Sequence, residues 1–142
     1  MKKLLVLASA LLLSLVSVQS HAGSFRVTPD ATVEREGLYG ATVFESRYKI
    51  LVLIPGREIT SLKKFHAVLA DGLKLPKTYG ANFDALYDVL TDPSVIGKNW
   101  DITIIGGKDF EHNLGLEKTQ AIIDTLNDAQ EQDRMNTFMF WM

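Results

Sequence analysis

The sequence predicts an α/β domain in which a small, three-stranded parallel sheet is packed with three to four helices. Three observations carry that prediction. Short runs rich in β-branched and aromatic residues occur at Ile50–Ile54, Trp100–Ile105 and Asn136–Trp141. The stretches between them switch to a three- and four-residue apolar period, the signature of amphipathic helices. Strands that alternate with helices join in parallel through right-handed crossovers, which lays the helices on the sheet.

Along the chain, Met1-Lys2-Lys3 is a short positive region, Leu4 to Val18 is apolar apart from its serines, and Ser20-His21-Ala22 is a small-x-small site before Gly23. This pattern reads as a cleavable secretory signal over residues 1–22, so a periplasmic or secreted mature protein is expected. Residues 23–47 are polar, carry Pro29, Gly37 and Gly40, and read as a partly extended N-terminal extension, with alternation only at Phe25-Arg26-Val27. Within it, Val43 and Phe44 allow an extra edge strand over Ala41–Ser46. The domain proper is expected over 48–142. Its first strand, Ile50–Ile54, is continuously apolar up to Pro55-Gly56, which predicts burial on both faces.

Leu62, Phe65, Leu69 and Leu73 follow the competent caps Thr60 and Ser61, and Gly72 and Pro76 mark a stop, so a helix is expected from Ser61 to about Asp71. Lys77–Ala81 reads as a turn. Asn82 then caps a second helix whose apolar stripe is Phe83, Leu86, Tyr87 and Leu90, halted by Thr91-Asp92-Pro93. The strand Trp100–Ile105 closes at Gly106-Gly107, which reads as a strand-end turn. Leu116 to about Gln132 is the third helix, with Ile122, Ile123, Leu126 and Ala129 inward, and the apolar segment Asn136–Trp141 is the last strand.

Composition removes several function classes. The chain contains no cysteine, which excludes disulfides, thiolate zinc sites and thiol nucleophiles together. The net charge of −2 becomes −4 once Lys2 and Lys3 leave with the signal segment. An acidic chain is a poor nonspecific nucleic-acid binder and suits a basic protein partner. After Ala22 no apolar run approaches the roughly 18 residues of a membrane span. There is no phosphate loop, nucleophile elbow or dinucleotide fingerprint. His66, beside the apolar stripe of the first helix, reads as a packed structural histidine, and His112, beside Glu111, as a solvated loop residue. Neither has a second histidine at ligand spacing, so no enzyme activity, cofactor or metal is expected.

The second helix carries the one unusual feature. Asp84, Asp88 and Asp92 are spaced by four and would share a helix face, where like charges repel by a few tenths of a kcal/mol per pair. The helix dipole accounts for Asp84 in the first turn but not for Asp88 or Asp92. A solvated face, a docking surface for a basic protein, and a carboxylate or metal site remain alternatives at this point.

The run Leu75-Pro76-Lys77-Thr78-Tyr79-Gly80-Ala81-Asn82-Phe83-Asp84-Ala85-Leu86-Tyr87-Asp88-Val89-Leu90-Thr91 closely resembles the signature of the barstar family of intracellular ribonuclease inhibitors. Upstream, Ile54-Pro55-Gly56, Ile59, Phe65-His66 and Leu69 keep the same register. The resemblance implies a barstar-like fold and a protein inhibitor whose helix and preceding loop form the binding face. It places Tyr79, Gly80, Asn82, Asp84, Asp88 and Thr91 on that face, Tyr87 where the family usually has Trp, and a further acid near Asp128. It makes Asp88 the main anchor, entering a ribonuclease active site where a substrate phosphate would sit. The implied partner is a basic ribonuclease; the export signal leaves another basic envelope protein as the alternative, and a monomer is expected because the acidic face would repel its own copy. Thr78 departs from the family's frequent aromatic, Gln132 stands where the family has a further acid, and Lys74 and Lys77 add positive charge near the face.

Overall fold

In the computed structural model, which describes residues 31–142, the Ile50 run is the middle strand of a five-stranded sheet. The signal segment, its cleavage site and Phe25–Val27 lie outside the described residues. The elements are β1 (Val33–Glu36), β2 (Thr42–Glu45), β3 (Lys49–Pro55), α1 (Leu62–Gly72), α2 (Phe83–Thr91), α3 (Pro93–Ile96), β4 (Asn99–Ile105), α4 (Gly107–Leu114), α5 (Leu116–Gln132) and β5 (Thr137–Trp141), with 3-10 turns at Leu38–Gly40 and Gly56–Glu58.

The sheet is larger than the three parallel strands that the apolar runs predict, and it is mixed. Strands β3, β4 and β5 pair in parallel, whereas β1–β2 and β2–β3 pair antiparallel, in the order β1-β2-β3-β4-β5. The turn from β2 into β3 is held by Ser46, whose Oγ accepts from the Tyr48 and Lys49 amides at 3.3 and 3.2 Å. The sequence of β1, Val-Glu-Arg-Glu, is mostly exposed. A strand with neither face buried shows no apolar alternation, so the pattern that betrays the inner strands is absent there.

Register separates the two faces of the sheet. Ile50 and Trp100 pair, as do Val52, Ile102 and Phe138, and Ile54, Ile104 and Phe140. Helix contacts fall on this face. Gly72 of α1 lies so close to Val52 that a Cβ would come within 2.9 Å of its side chain, and Phe110 of α4 stacks edge-on against Phe140 and Phe65. On the opposite face Lys49 pairs with Asp101 at 3.3 Å, and Asp101 also accepts from the Thr137 hydroxyl, tying three strands together.

Two short helices escape the periodicity argument. Helix α4 offers only Phe110 and Leu114 to the core and begins at Gly106, in the left-handed region at φ 71°, so the glycine pair starts a helix as well as ending a strand. His112 consequently sits in a helix rather than a loop. Helix α3 is a single turn that starts at Pro93. The other three helices fall within a residue of their expected ends, with Ser61 capping α1 by accepting from the Lys64 amide at 3.2 Å.

Candidate functional site

Helix α2 is fixed at both ends. At its start Asn82 Oδ1 accepts from the Ala85 amide at 2.7 Å, and the Asn82 side-chain amide donates to the Gly80 carbonyl at 3.4 Å. At its end the buried Trp100 indole donates to the Leu90 carbonyl at 3.0 Å, satisfying a group that the helix leaves without an internal partner. Leu86 and Leu90 are buried, and α2 packs against α5. The same geometry turns Asp84 and Asp88 outward and leaves them exposed. Neither carboxylate takes a hydrogen bond or ion pair from another described residue.

Asp92 does not extend this row. The helix stops at Thr91, Asp92 is extended at φ −102° and ψ 104°, and its carboxylate caps α3 by accepting from the Ser94 amide at 3.0 Å and hydroxyl at 2.7 Å. Those bonds hold its pKa below the ordinary carboxylate value. Pro93 dictates the break, because a residue before proline avoids the helical region. Asp92 is therefore a capping residue, and the acidic face comprises Asp84 and Asp88. Thr91 completes the last turn, its hydroxyl donating to the Tyr87 carbonyl at 2.8 Å.

The loop before α2 is held from beneath. Tyr79 closes a turn by donating its amide to the Pro76 carbonyl at 2.9 Å, and its hydroxyl lies 2.7 Å from His66 Nδ1 on α1. His66 is buried, with the rings of Phe65, Tyr79 and Phe83 around it at 5.5, 5.9 and 5.8 Å between centroids. Burial pushes the Tyr79 phenol up to about 12 and keeps the His66 imidazole below its usual value. Gly80 has no left-handed backbone requirement, and a Cβ there would crowd Asn82 Nδ2 at 3.3 Å and Ala85 Cβ at 3.4 Å. The left-handed residue is Ala81, at φ 50°.

Tyr87 is half-buried against the core edge rather than fully offered to solvent. Asp128 is exposed on α5, next to Ala129, which with Gln132 and Thr91 lines a cleft of about 520 Å³ at the end of α2. The structure thus gathers Tyr79, Gly80, Asn82, Asp84, Asp88 and Thr91 along one loop and helix, with Asp128 on the neighbouring helix. Lys74 is drawn to Glu45 of β2, at 2.9 Å. Sequence spacing misses the His66–Tyr79 link, because two residues from different elements share no period. Its one trace was a histidine beside the apolar stripe of α1.

Among the described residues, no cluster of three or more His, Asp or Glu is placed to hold a metal ion, and no helix is long and apolar enough to cross a membrane. What remains is a rigid helix with two unpaired carboxylates, suited to meeting fixed cations on another molecule. A family model described as Barstar (barnase inhibitor) matches residues 50–142, which includes every residue of this site. No curated protein matches the chain.

Proposed function

The chain belongs to the barstar family, and on that premise we propose that it inhibits a small basic ribonuclease of the barnase kind, covering the enzyme's cationic active site with α2 and the loop before it. One observation carries the reading. Asp88 stands in the middle of a helix capped at both ends, exposed, its carboxylate without a partner among the described residues and with no helix-dipole reason to be there. The backbone beneath that carboxylate is already ordered, so an arginine that pairs with it through two hydrogen bonds has only a short side chain to immobilise. Asp84 and Asp128 add negative field that speeds encounter with a basic protein. Tyr79, Gly80, Asn82, Tyr87 and Thr91 supply the uncharged contacts around the anchor.

The leader pattern of Met1–Ala22 favours action outside the cytoplasm, in the periplasm or the medium, with residues 48–142 as the inhibitory domain and 23–47 as an extension. We take the protein to be a monomer, since two copies of the acidic face repel. That same leader supports one second reading, in which the face binds another basic envelope protein. The test is an inhibition titration of barnase with the purified protein at low and high salt. Salt-sensitive inhibition supports the ribonuclease reading. Full ribonuclease activity at saturating protein contradicts it and leaves the second.

A further inference from the structure

Beside the acidic helix lies a groove of opposite character. It has a volume of about 720 Å³ and runs between α1 and the loop leading into α2. Ala67, Ala70, Leu75 and Phe83 make it apolar, and the exposed Lys63 and Lys77 line it as well. Two other lysines, Lys74 and Lys98, both reach Glu45, at 2.9 and 2.6 Å, and share its single negative charge. Neither Lys63 nor Lys77 has an acidic partner within ion-pair distance among the described residues. The groove is continuous with the acidic face, because Tyr79 and Asn82 line it and Asn82 caps the helix that carries Asp88. Along that helix Asp88 is roughly 9 Å from the cap.

We propose that this groove receives an acidic, apolar segment of the partner protein, a carboxylate meeting Lys63 and Lys77 while its neighbouring aliphatic or aromatic side chain lies on Ala67 and Ala70. The inference rests on the reading that the partner docks on α2. It then defines the partner as bipolar, with a cationic pocket for Asp88 and an acid-flanked apolar stretch beside it. Charge complementarity selects this occupant over a basic one, since a uniformly basic surface would set its own cations against the two lysines and leave the apolar floor unfilled. Such pairing of opposite charges in two adjacent patches discriminates among basic proteins, which one acidic face cannot do.

The experiment reads amide shifts of the isotope-labelled protein on titration with two end-blocked peptides, Asp-Leu-Phe-Glu and Lys-Leu-Phe-Lys. The acidic peptide is expected to shift Ala67, Ala70, Lys77 and Phe83, and the basic one to leave them. The double variant Lys63→Glu with Lys77→Glu, both changes at exposed positions, is expected to weaken acidic-peptide binding about tenfold, with an unchanged circular dichroism spectrum. Asp88→Ala is expected to bind the peptide as the unmodified protein does. No shift from the acidic peptide, equal shifts from both, or undiminished binding by the double variant overturns the proposal. Shifts with laurate but not with the acidic peptide also overturn it, assigning the groove to a small amphipathic anion. Peptide binding without barnase inhibition keeps the groove and removes the ribonuclease reading; inhibition without peptide binding does the reverse.

Discussion

His66 Nδ1 and the Tyr79 hydroxyl lie 2.7 Å apart, a hydrogen bond that ties the buried face of α1 to the loop in front of α2. The pair is thirteen positions apart in the chain, and Tyr79 leads directly into Gly80 and Asn82, the side-chain bonds of Asn82 starting α2. A binding face built on a loop loses affinity to ordering unless something holds the loop beforehand. In the proposed interface the loop is held by the buried imidazole of His66, with 5% exposure.

Replacing Tyr79 with Phe keeps the ring and deletes that bond, leaving a buried imidazole nitrogen without its partner. A loss of about 1–2 kcal/mol is expected, measured as a lowered urea midpoint at constant slope. An unchanged midpoint would show that the bond does not hold the loop.

The same pair sets a pH dependence. His66 titrates below its ordinary value of 6.5 in the folded chain, so the unfolded chain takes up the proton first and stability falls as pH drops below about 6.5. Tyr79 is raised from 10.0 to about 12, so the unfolded chain loses the proton first and stability falls again as pH rises from 10 towards 12. Urea midpoints across this range check both limbs. In Tyr79→Phe the alkaline decline should shrink, and it should be unaltered if other groups cause it.

The inner elements of the fold are legible in the sequence. The three parallel strands and the helices α1, α2 and α5 follow from apolar runs and periods, because each buries a continuous stripe. The edge strand β1 was not legible, since its Val-Glu-Arg-Glu sequence faces water, and α4 was hidden behind a glycine pair with only Phe110 and Leu114 to mark it. Spacing placed Asp92 with Asp84 and Asp88, but Pro93 ends the helix before it, and spacing says nothing of where a carboxylate turns once the helix stops.

Ala81 occupies the left-handed region at φ 50°, immediately before the cap of α2. A side chain there costs roughly 1 kcal/mol relative to glycine. Ala81→Gly is therefore expected to raise stability by up to about 1 kcal/mol, less the entropy that glycine adds to the unfolded chain. Calorimetric melting checks it, and a lowered melting temperature would contradict it.

Arg35 links the strand β1 to the scaffold of the site. Its Nη2 donates to the carbonyls of Asp71 and Gly72 at 2.9 and 3.1 Å, closing the end of α1, and its Nη1 lies 3.5 Å from the Asp71 carboxylate. Arg35→Ala exposes these carbonyls and is expected to cost about 1–2 kcal/mol, read from thermal unfolding. A cost near zero would show that β1 is dispensable for holding α1.

In the proposed complex Asp88 is the anchor of a barnase-type interface. The most direct measurement compares the Kd for barnase of the unmodified protein with that of Asp88→Ala, with circular dichroism to verify that both are folded. Asp88 is exposed and mid-helix, so alanine there is expected to leave the fold intact. Loss of a carboxylate buried against cations in the complex is expected to weaken binding by about 3 kcal/mol, on the order of a hundredfold in Kd. Equal affinity of the two proteins, or the absence of any binding by the unmodified one, would contradict the account.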